Sequence, residues 1–284
     1  MDIERVFVVG AGTMGRGIAQ AFAQGGLRAV LYDAAPGVAE QAFARIRSDL
    51  DRLVEREKMT EEQVAGIVSR LQVAESLDEA ASCQFALEAI VEDLDAKSAL
   101  LGELDTICPL DAILATNTSG LSVTALGRAS GRPEQFVGMH FFNPAPVMKL
   151  VELVITADAR TDVVATAVDL ARSIGKEPVR VKDSPGFIVN RLLIPMLNEA
   201  ILLLEEGVAS VEDIDTAMKL GCGFPMGPLE LSDLVGNDIT LAVMDGLHAG
   251  LSGEKNRPAD MLRSMVQQQR LGRKTGSGFT VGNE

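Results

Sequence analysis

Short apolar runs alternate with longer amphipathic stretches in the chain as far as about residue 184. The runs lie at Val6–Val9, Ala29–Tyr32, Phe85–Val91 and Ala112–Ala115, and the first consists of β-branched and aromatic residues throughout. Runs of this length are typical of strands buried on both faces, and stretches with helical periodicity, such as 14–24 and 95–104, separate them. The alternation predicts successive βα units in a parallel, doubly wound sheet.

From Pro185 onward the strand pattern stops and helical periodicity replaces it. The first predicted helix covers Pro185–Glu206 and has a kink at Pro195. The second opens with a capping box at Ser210 and ends at Gly221. Two more helices are predicted at Glu230–Leu247 and Pro258–Leu271. We therefore expect an α/β protein of two domains. Residues 1–184 form the domain with the doubly wound sheet, and residues 185–284 form an all-α C-terminal domain.

Charge and composition exclude several classes of function. The 284 residues carry 26 Lys+Arg against 40 Asp+Glu, and a net charge of −14 argues against nucleic-acid binding, which needs a basic face. No apolar run reaches the roughly 18 residues of a membrane span. Two histidines are too few for a His-based metal site, so we expect no metal. The three cysteines lack CxxC spacing and are expected to be reduced thiols. The first motif begins by residue 10, which leaves no room for a targeting peptide, so we expect a cytoplasmic protein.

A glycine-rich turn joins the first predicted strand to the first helix. Gly10-Ala11-Gly12-Thr13-Met14-Gly15 fits the pattern G-x-G-x-x-G. Gly10 permits a tight turn, Gly12 lets a diphosphate approach the backbone, and Gly15 permits close packing of helix on strand. The helix N-terminus favours the bound anion. Strand, turn and helix in this order predict a dinucleotide site, and a purely structural turn is the alternative.

Asp33 ends the second apolar run, 18 residues after Gly15. Its carboxylate can accept hydrogen bonds from both hydroxyls of an adenosine ribose. An aspartate would repel the 2′-phosphate of NADP, so NAD is the expected cofactor. Arg16 and Arg28 are close enough in sequence to assist a 2′-phosphate, which leaves NADP as the less favoured cofactor.

The densest chemical signal is the segment 137–154, where two apolar runs flank a loop with two prolines. The pattern predicts an antiparallel pair of strands, and a turn centred on Pro146 places His140 opposite Glu152. A carboxylate beside an imidazole fixes the tautomer and stabilises the protonated ring, which suits proton removal from an alcohol. A core histidine without chemistry is the alternative, disfavoured by the adjacent acid and the upstream cofactor site. His248 is expected to be structural.

Three arginines, Arg45, Arg52 and Arg56, fall on one face of a polar helix predicted over 37–59, before a capping box at Thr60. One interpretation is a solvated face that includes acidic partners such as Asp49. The other is a basic arm that meets a phosphate-rich substrate tail.

Taken together, these motifs resemble the L-3-hydroxyacyl-CoA dehydrogenase family nearly from end to end. The segments that carry the resemblance are GAGTMGRGIAQAFA (10–23), EAIVED (88–93), NTSGLSVT (117–124), GMHFFNPAPVMKLVELV (138–154), KDSPGFIVNRLL (182–193), GFPMGPLELSDLVG (223–236) and GRKTGSGF (272–279). The resemblance implies reversible, NAD-dependent oxidation of an (S)-3-hydroxyacyl-CoA, with four carbons in the acyl group, to a 3-ketoacyl-CoA. It also implies that residues 1–184 are a Rossmann-like NAD-binding domain. Residues 185–284 would then form a C-terminal domain for substrate binding and dimerisation, through which a homodimer forms.

The same resemblance implies roles for individual residues. His140 matches the family's catalytic base, Glu152 its orienting partner and Ser119 the serine that binds the reacting oxygen. Asn190 matches the asparagine that positions the acyl portion, in a cleft between the domains. Besides residues 10–15 and Asp33, the positions that match the family's cofactor site are Glu92, Lys97, Asn117, Ser119, Asn143 and Lys274. Because the family's coenzyme A rests against the arm after the second strand, Arg52 and Arg56 are the expected substrate contacts there.

The chain departs from the family pattern at three positions. Gly120 stands where many relatives have a second serine, so a minor polar contact is expected to be absent. Ser277 and Thr280 replace the arginine and tyrosine of a terminal GRGFY pattern, which predicts looser docking of the tail. None of the departures falls on the four proposed catalytic positions.

Two other functions are compatible with the scaffold. One is a dehydrogenase of small sugar or hydroxy acids, which coenzyme A would not inhibit. The other is a non-catalytic protein that keeps the fold, such as a crystallin-like or NAD-sensing protein. The joint presence of Ser119, His140, Glu152 and Asn190 disfavours the second.

Overall fold

The chain divides between Asp183 and Ser184 into an N-terminal and a C-terminal unit. The computed structural model describes residues 3–251 and 254–282. In the N-terminal unit the strands are β1 (Arg5–Val9), β2 (Arg28–Tyr32), β3 (Leu71–Val73), β4 (Phe85–Glu88), β5 (Ile113–Thr116), β6 (Phe136–Phe141), β7 (Leu150–Ile155) and β8 (Glu177–Lys182). The helices are α1 (Thr13–Gln24), α2 (Val38–Glu55), α3 (Glu61–Val68), α4 (Leu94–Ile107), α5 (Val123–Ala129) and α6 (Thr161–Ser173).

The eight strands form one sheet in the order β3-β2-β1-β4-β5-β6-β7-β8. Every neighbouring pair is parallel except β6 and β7, which are antiparallel. The chain moves outward from β1 to β3 and then returns to the other side of β1, so the ends of β1 and β4 lie at a topological switch point. The predicted Rossmann-like, doubly wound sheet is confirmed.

Aromatic side chains fill the core between the sheet and α1. The Phe22 ring on α1 meets Phe85 of β4 edge-on at 6.3 Å and Phe141 of β6 at 6.0 Å between centroids. Phe22 and Phe85 are fully buried, and burial of each such ring contributes about 1.5–3 kcal/mol. This packing holds the helix that follows the glycine-rich turn in a fixed position against the strands.

Some predicted boundaries in this unit are wrong. The helix expected over 37–59 ends at Glu55, because Glu57 adopts a left-handed conformation with φ 55° that a helix cannot continue through. The capping box at Thr60 is confirmed: its hydroxyl accepts from the Gln63 N–H, and the Gln63 side chain accepts from the Thr60 N–H. The strands β3 and β8 were not expected from the sequence.

The C-terminal unit consists of helices among its described residues, with one isolated β-bridge between Gly272 and Ser277. The helices are α7 (Val189–Glu205), α8 (Val211–Cys222), α9 (Pro228–Val235), α10 (Asn237–Gly250) and α11 (Asp260–Gln267). The single helix expected over 230–247 is wrong, because Gly236 has φ 104° and separates α9 from α10. The helix opened by Ser210 continues to Cys222, one residue beyond the predicted end at Gly221.

A buried aspartate anchors the tail of this unit. Asp233 is 1% exposed and accepts hydrogen bonds from the N–H groups of Phe279 and Thr280 at 2.9 and 2.7 Å. The Thr280 hydroxyl donates a third at 2.8 Å. Thr280, one of the departures from the family pattern, therefore contributes to docking the tail.

The three cysteines are unpaired. Cys83 and Cys108 are buried in the N-terminal unit, and Cys222 is exposed. Burial raises the pKa of the Cys108 thiol to about 11, so that thiol stays protonated at neutral pH. No helix in the described part of the chain combines the length and apolarity needed to cross a bilayer.

Candidate active site

The glycine-rich turn and Asp33 meet at the ends of β1 and β2. The Gly10 N–H donates to the Tyr32 carbonyl at 2.8 Å, and the Ala11 N–H donates to Asp33 Oδ2 at 2.8 Å. Asp33 Oδ1 also accepts from the Ala35 N–H at 2.9 Å. The carboxylate is thus fixed beside the turn, and each of its oxygens retains acceptor capacity for a ribose hydroxyl.

The turn fits a dinucleotide diphosphate. A Cβ on Gly15 would lie 1.7 Å from the Gly10 carbonyl oxygen, whereas a Cβ on Gly12 would meet no atom within 4 Å. Gly12 is the N-cap of α1, no side chain caps the helix there, and its first turn contains no acidic residue. The N-terminal N–H groups of α1 therefore face an open, anion-favouring space beside a backbone that carries no side chain.

His140 lies between Ser119 and Glu152. The antiparallel register of β6 and β7 pairs His140 with Glu152, as predicted from the turn centred on Pro146. His140 Nδ1 is 2.8 Å from Glu152 Oε2, and His140 Nε2 is 3.1 Å from Ser119 Oγ. His140 is 4% exposed and Glu152 is fully buried, so the pair is held in one orientation by the sheet.

The neighbours of the ring determine its tautomer. A carboxylate oxygen only accepts hydrogen bonds, so His140 Nδ1 carries the proton and donates to Glu152. The lone pair of Nε2 is then directed at the Ser119 hydroxyl, where a substrate hydroxyl would also have to lie. This arrangement provides a proton acceptor and a hydroxyl donor within reach of one reacting oxygen.

The loop after β5 carries Ser119 and is tied to two other segments. Asn117 Oδ1 accepts from the Phe141 N–H at 2.8 Å, which joins the loop to the end of β6. Glu92 Oε1 accepts from the N–H groups of Ser119 and Gly120 at 2.9 and 3.1 Å, and from the Thr118 hydroxyl at 2.5 Å. The predicted site residues Glu92, Asn117, Ser119 and His140 are therefore brought together.

Lys97, another predicted cofactor residue, is 1% exposed and forms a salt bridge with the fully buried Glu88. Glu88, the last residue of β4, was assigned no role of its own from the sequence. A signal was present, because Lys97 occupies the buried stripe of α4 together with Leu101 and Leu104. A charged residue on an apolar helix face needs a buried partner.

Lys176 holds the loop that follows β6 and was not singled out from the sequence. Its ammonium donates to the carbonyls of Ala145 and Met148 at 2.6 and 2.8 Å. Burial lowers the pKa of Lys176 from its usual value. The clamped loop starts at Asn143, an exposed residue with a cis peptide bond to Pro144, so Lys176 fixes the backbone next to a predicted cofactor residue.

The other predicted residues belong to the segment of α2 and its C-cap or to the C-terminal unit. Arg52 is exposed and 3.4 Å from Asp49, and Arg56 is the C-cap of α2, beyond its last turn. Asn190 lies in the first turn of α7 in the C-terminal unit. Lys274 lies in the same unit, where its ammonium contacts both carboxylate oxygens of Asp238 at 2.5 Å.

Comparisons with known proteins agree along the whole chain. A sequence profile of the 3-hydroxyacyl-CoA dehydrogenase NAD binding domain matches residues 5–184, and one of the 3-hydroxyacyl-CoA dehydrogenase C-terminal domain matches residues 186–281. The 3-hydroxybutyryl-CoA dehydrogenase of Clostridioides difficile is 42% identical over 278 residues, which cover 97% of this chain and 98% of the relative. The mitochondrial hydroxyacyl-coenzyme A dehydrogenase of Homo sapiens is 44% identical over 285 residues, covering 98% and 90%. The crystal structure of (S)-3-hydroxybutyryl-CoA dehydrogenase from Ralstonia eutropha is similar with a TM-score of 0.96, at 44% identity and 100% coverage of both chains.

Proposed function

The chain belongs to the 3-hydroxyacyl-CoA dehydrogenase family, and from that premise we propose that it oxidises (S)-3-hydroxybutyryl-CoA to acetoacetyl-CoA reversibly, with His140 as the base. The observation that carries the assignment of the base is the line of contacts from Ser119 Oγ to His140 Nε2 and from His140 Nδ1 to Glu152 Oε2, at 3.1 and 2.8 Å.

In the oxidation, His140 Nε2 takes the proton of the 3-hydroxyl group, and the ring becomes a cation that Glu152 stabilises. Ser119 donates a hydrogen bond to the same substrate oxygen and keeps it near Nε2. In the reverse direction the protonated ring returns its proton to the ketone oxygen. Much of the rate is expected from this positioning, because the reacting oxygen is held by groups that are themselves fixed.

NAD is the cofactor of the family, and when bound it supplies the acceptor for the hydride that leaves C3. In this chain residues 10–15 and the N-terminus of α1 would hold its diphosphate, and Asp33 its adenosine ribose. Asn143 and Lys274 would complete the cofactor site. Asn190 would position the acyl portion of the substrate, and Arg52 and Arg56 would meet the phosphates of coenzyme A.

The first test is to follow NADH absorbance with acetoacetyl-CoA and then with NADPH. We expect turnover with NADH and at least about tenfold less with NADPH, a preference that requires only about 1.4 kcal/mol of repulsion between Asp33 and a 2′-phosphate. Coenzyme A should inhibit competitively with acetoacetyl-CoA. A preference for NADPH would contradict the role of Asp33, and a lack of turnover with either cofactor would contradict the proposed substrate.

A cytoplasmic homodimer formed through the C-terminal unit is the assembly we propose. Large apolar side chains on this unit support it, because Leu192 is 71%, Leu220 83% and Leu234 48% exposed. The unpaired cysteines are compatible with a reducing compartment. Light scattering should give about twice the mass of one chain, and a monomeric mass at micromolar concentration would contradict the proposed assembly.

A further inference from the structure

A buried salt bridge between Glu88 and Lys97 lies beside the loop that carries Ser119, and the proton transfer described above makes no use of it. Glu88 Oε1 accepts hydrogen bonds from the Lys97 ammonium and from the Ile90 N–H, the latter at 2.8 Å. Glu88 Oε2 accepts from the Thr116 hydroxyl at 2.7 Å. Burying two charges costs free energy that apolar side chains of similar volume would not. The pair therefore calls for an explanation other than stability alone.

Lys97 connects this pair to Glu92. The Lys97 ammonium lies 3.4 Å from Glu92 Oε2, the oxygen that the loop does not use. The other oxygen, Oε1, accepts the hydrogen bonds from Thr118, Ser119 and Gly120. An oxygen that accepts three hydrogen bonds binds them best when it is fully charged and fixed in place. Lys97 supplies the cation for this, and Glu88 holds Lys97.

We infer that Glu88 and Lys97 are positioning residues for the proton transfer. The pair fixes the Glu92 carboxylate. Glu92 in turn fixes the backbone of Ser119 by accepting a hydrogen bond from the Ser119 N–H. The Ser119 hydroxyl is thereby kept 3.1 Å from His140 Nε2. This inference rests on the proposed function. Its content is that the buried pair keeps the Ser119 side chain in the orientation needed for proton transfer.

The test removes both charges together, in the variant Glu88→Gln/Lys97→Met, whose side chains are close in size to the originals. We expect this variant to fold, because exchanging a buried ion pair for neutral side chains of similar volume is often neutral for stability. With acetoacetyl-CoA and NADH, kcat should fall about tenfold while the KM for acetoacetyl-CoA changes less than about twofold, because orientation is lost and substrate contacts are kept.

The decisive comparison repeats the two substitutions in a Ser119→Ala background. If the pair acts through Ser119, adding Glu88→Gln/Lys97→Met to Ser119→Ala should lower kcat by less than about twofold relative to Ser119→Ala alone. Equal losses in both backgrounds would overturn the inference, and so would an unchanged kcat in the background that retains Ser119. An inactive wild-type enzyme would instead remove the proposed function. If the paired variant does not fold, Glu92→Gln can be compared in the same way with and without Ser119→Ala. The Glu92 side chain is 44% exposed, so this variant should fold.

A second readout needs neither cofactor nor substrate. Because the chain has only two histidines, the ring nitrogen resonances of His140 can be followed by NMR. The Nε2 resonance should shift in Glu88→Gln/Lys97→Met but not when the same changes are made in the Ser119→Ala background.

Asp105→Asn/Arg132→Met is the matched control, since it removes another ion pair with a buried arginine, at 2.6 Å. It should leave both kcat and the His140 resonance unchanged. A similar shift of the His140 resonance in this control would overturn the inference.

Discussion

Replacing His140 with alanine is expected to lower kcat by about 10²- to 10⁴-fold, the usual range for loss of a general base. NADH affinity should stay within about twofold, because the turn at residues 10–15 and Asp33 are untouched. The physical reason is that in the proposed mechanism Nε2 accepts the hydroxyl proton, and Ser119 Oγ lies 3.1 Å from it. Steady-state kinetics with acetoacetyl-CoA and NADH fluorescence titration measure the two quantities separately.

Two further variants separate chemistry from folding. His140→Ala leaves the fully buried Glu152 without its ring partner, which costs stability. His140→Gln retains an N–H donor for Glu152 but provides no base, so it should fold better and remain as slow as the alanine variant. His248→Ala changes the other histidine, on α10, and should leave kcat unchanged. Near-normal kcat in His140→Gln would contradict the assignment of the base.

Gly15→Ala is expected to abolish NADH binding at concentrations that saturate the wild-type enzyme and to destabilise the N-terminal unit by about 3 kcal/mol or more. The added Cβ would lie 1.7 Å from the Gly10 carbonyl oxygen, which is backbone and cannot rotate away. Gly10 itself is held by the hydrogen bond from its N–H to the Tyr32 carbonyl at 2.8 Å. Relief therefore requires α1 to move off the end of β1. Chemical denaturation and fluorescence titration measure the two effects.

Gly12→Ala is the matched control within the same turn. No atom lies within 4 Å of its added Cβ, so the free energy of unfolding should change by less than about 0.5 kcal/mol. NADH affinity should still fall at least about tenfold, because the methyl group occupies the space through which a diphosphate approaches the backbone. Wild-type NADH affinity in either glycine variant would place the cofactor away from this turn.

The parts of the fold that depend on local composition could be predicted from the sequence. Strands β1, β2, β4 and β5 are short β-branched or apolar runs with turn residues after them, and the structure places them within a few residues of the prediction. The pairing of His140 with Glu152 was predictable for a similar reason. A short loop joins their strands, so the turn sets the register and the register sets the pair.

The missed boundaries depend on backbone dihedrals and on the sheet edges, which composition does not reveal. Gly236 interrupts a continuous helical pattern only because it adopts φ 104°, and an isolated glycine in such a pattern is often tolerated. β3 has three residues, and most of the side chains of β8 are not buried. Both strands lie at the edges of the sheet. An edge strand pairs with only one neighbour, and the hydrophobic pattern in its sequence is weak.

The buried pair illustrates what limits prediction of the site itself. Lys97 matched a cofactor position by resemblance, but its burial and its contact with Glu88 depend on how α4 packs beside β4. Charged residues in sequence are usually solvated, so their burial is known only once the elements are assembled. The same holds for Lys176, whose carbonyl partners lie 28 and 31 residues earlier in the chain.

The register of β6 against β7 also determines how this enzyme would lose activity when damaged. A slip of one residue would place Val151 or Leu153 opposite His140 and turn Glu152 to the other face of the sheet. Strand register changes by whole residues, so no register exists in which Glu152 orients the His140 ring only in part. Heat or ageing that disturbs this hairpin should therefore reduce the number of working molecules in a sample, and each survivor should still turn over at the full rate.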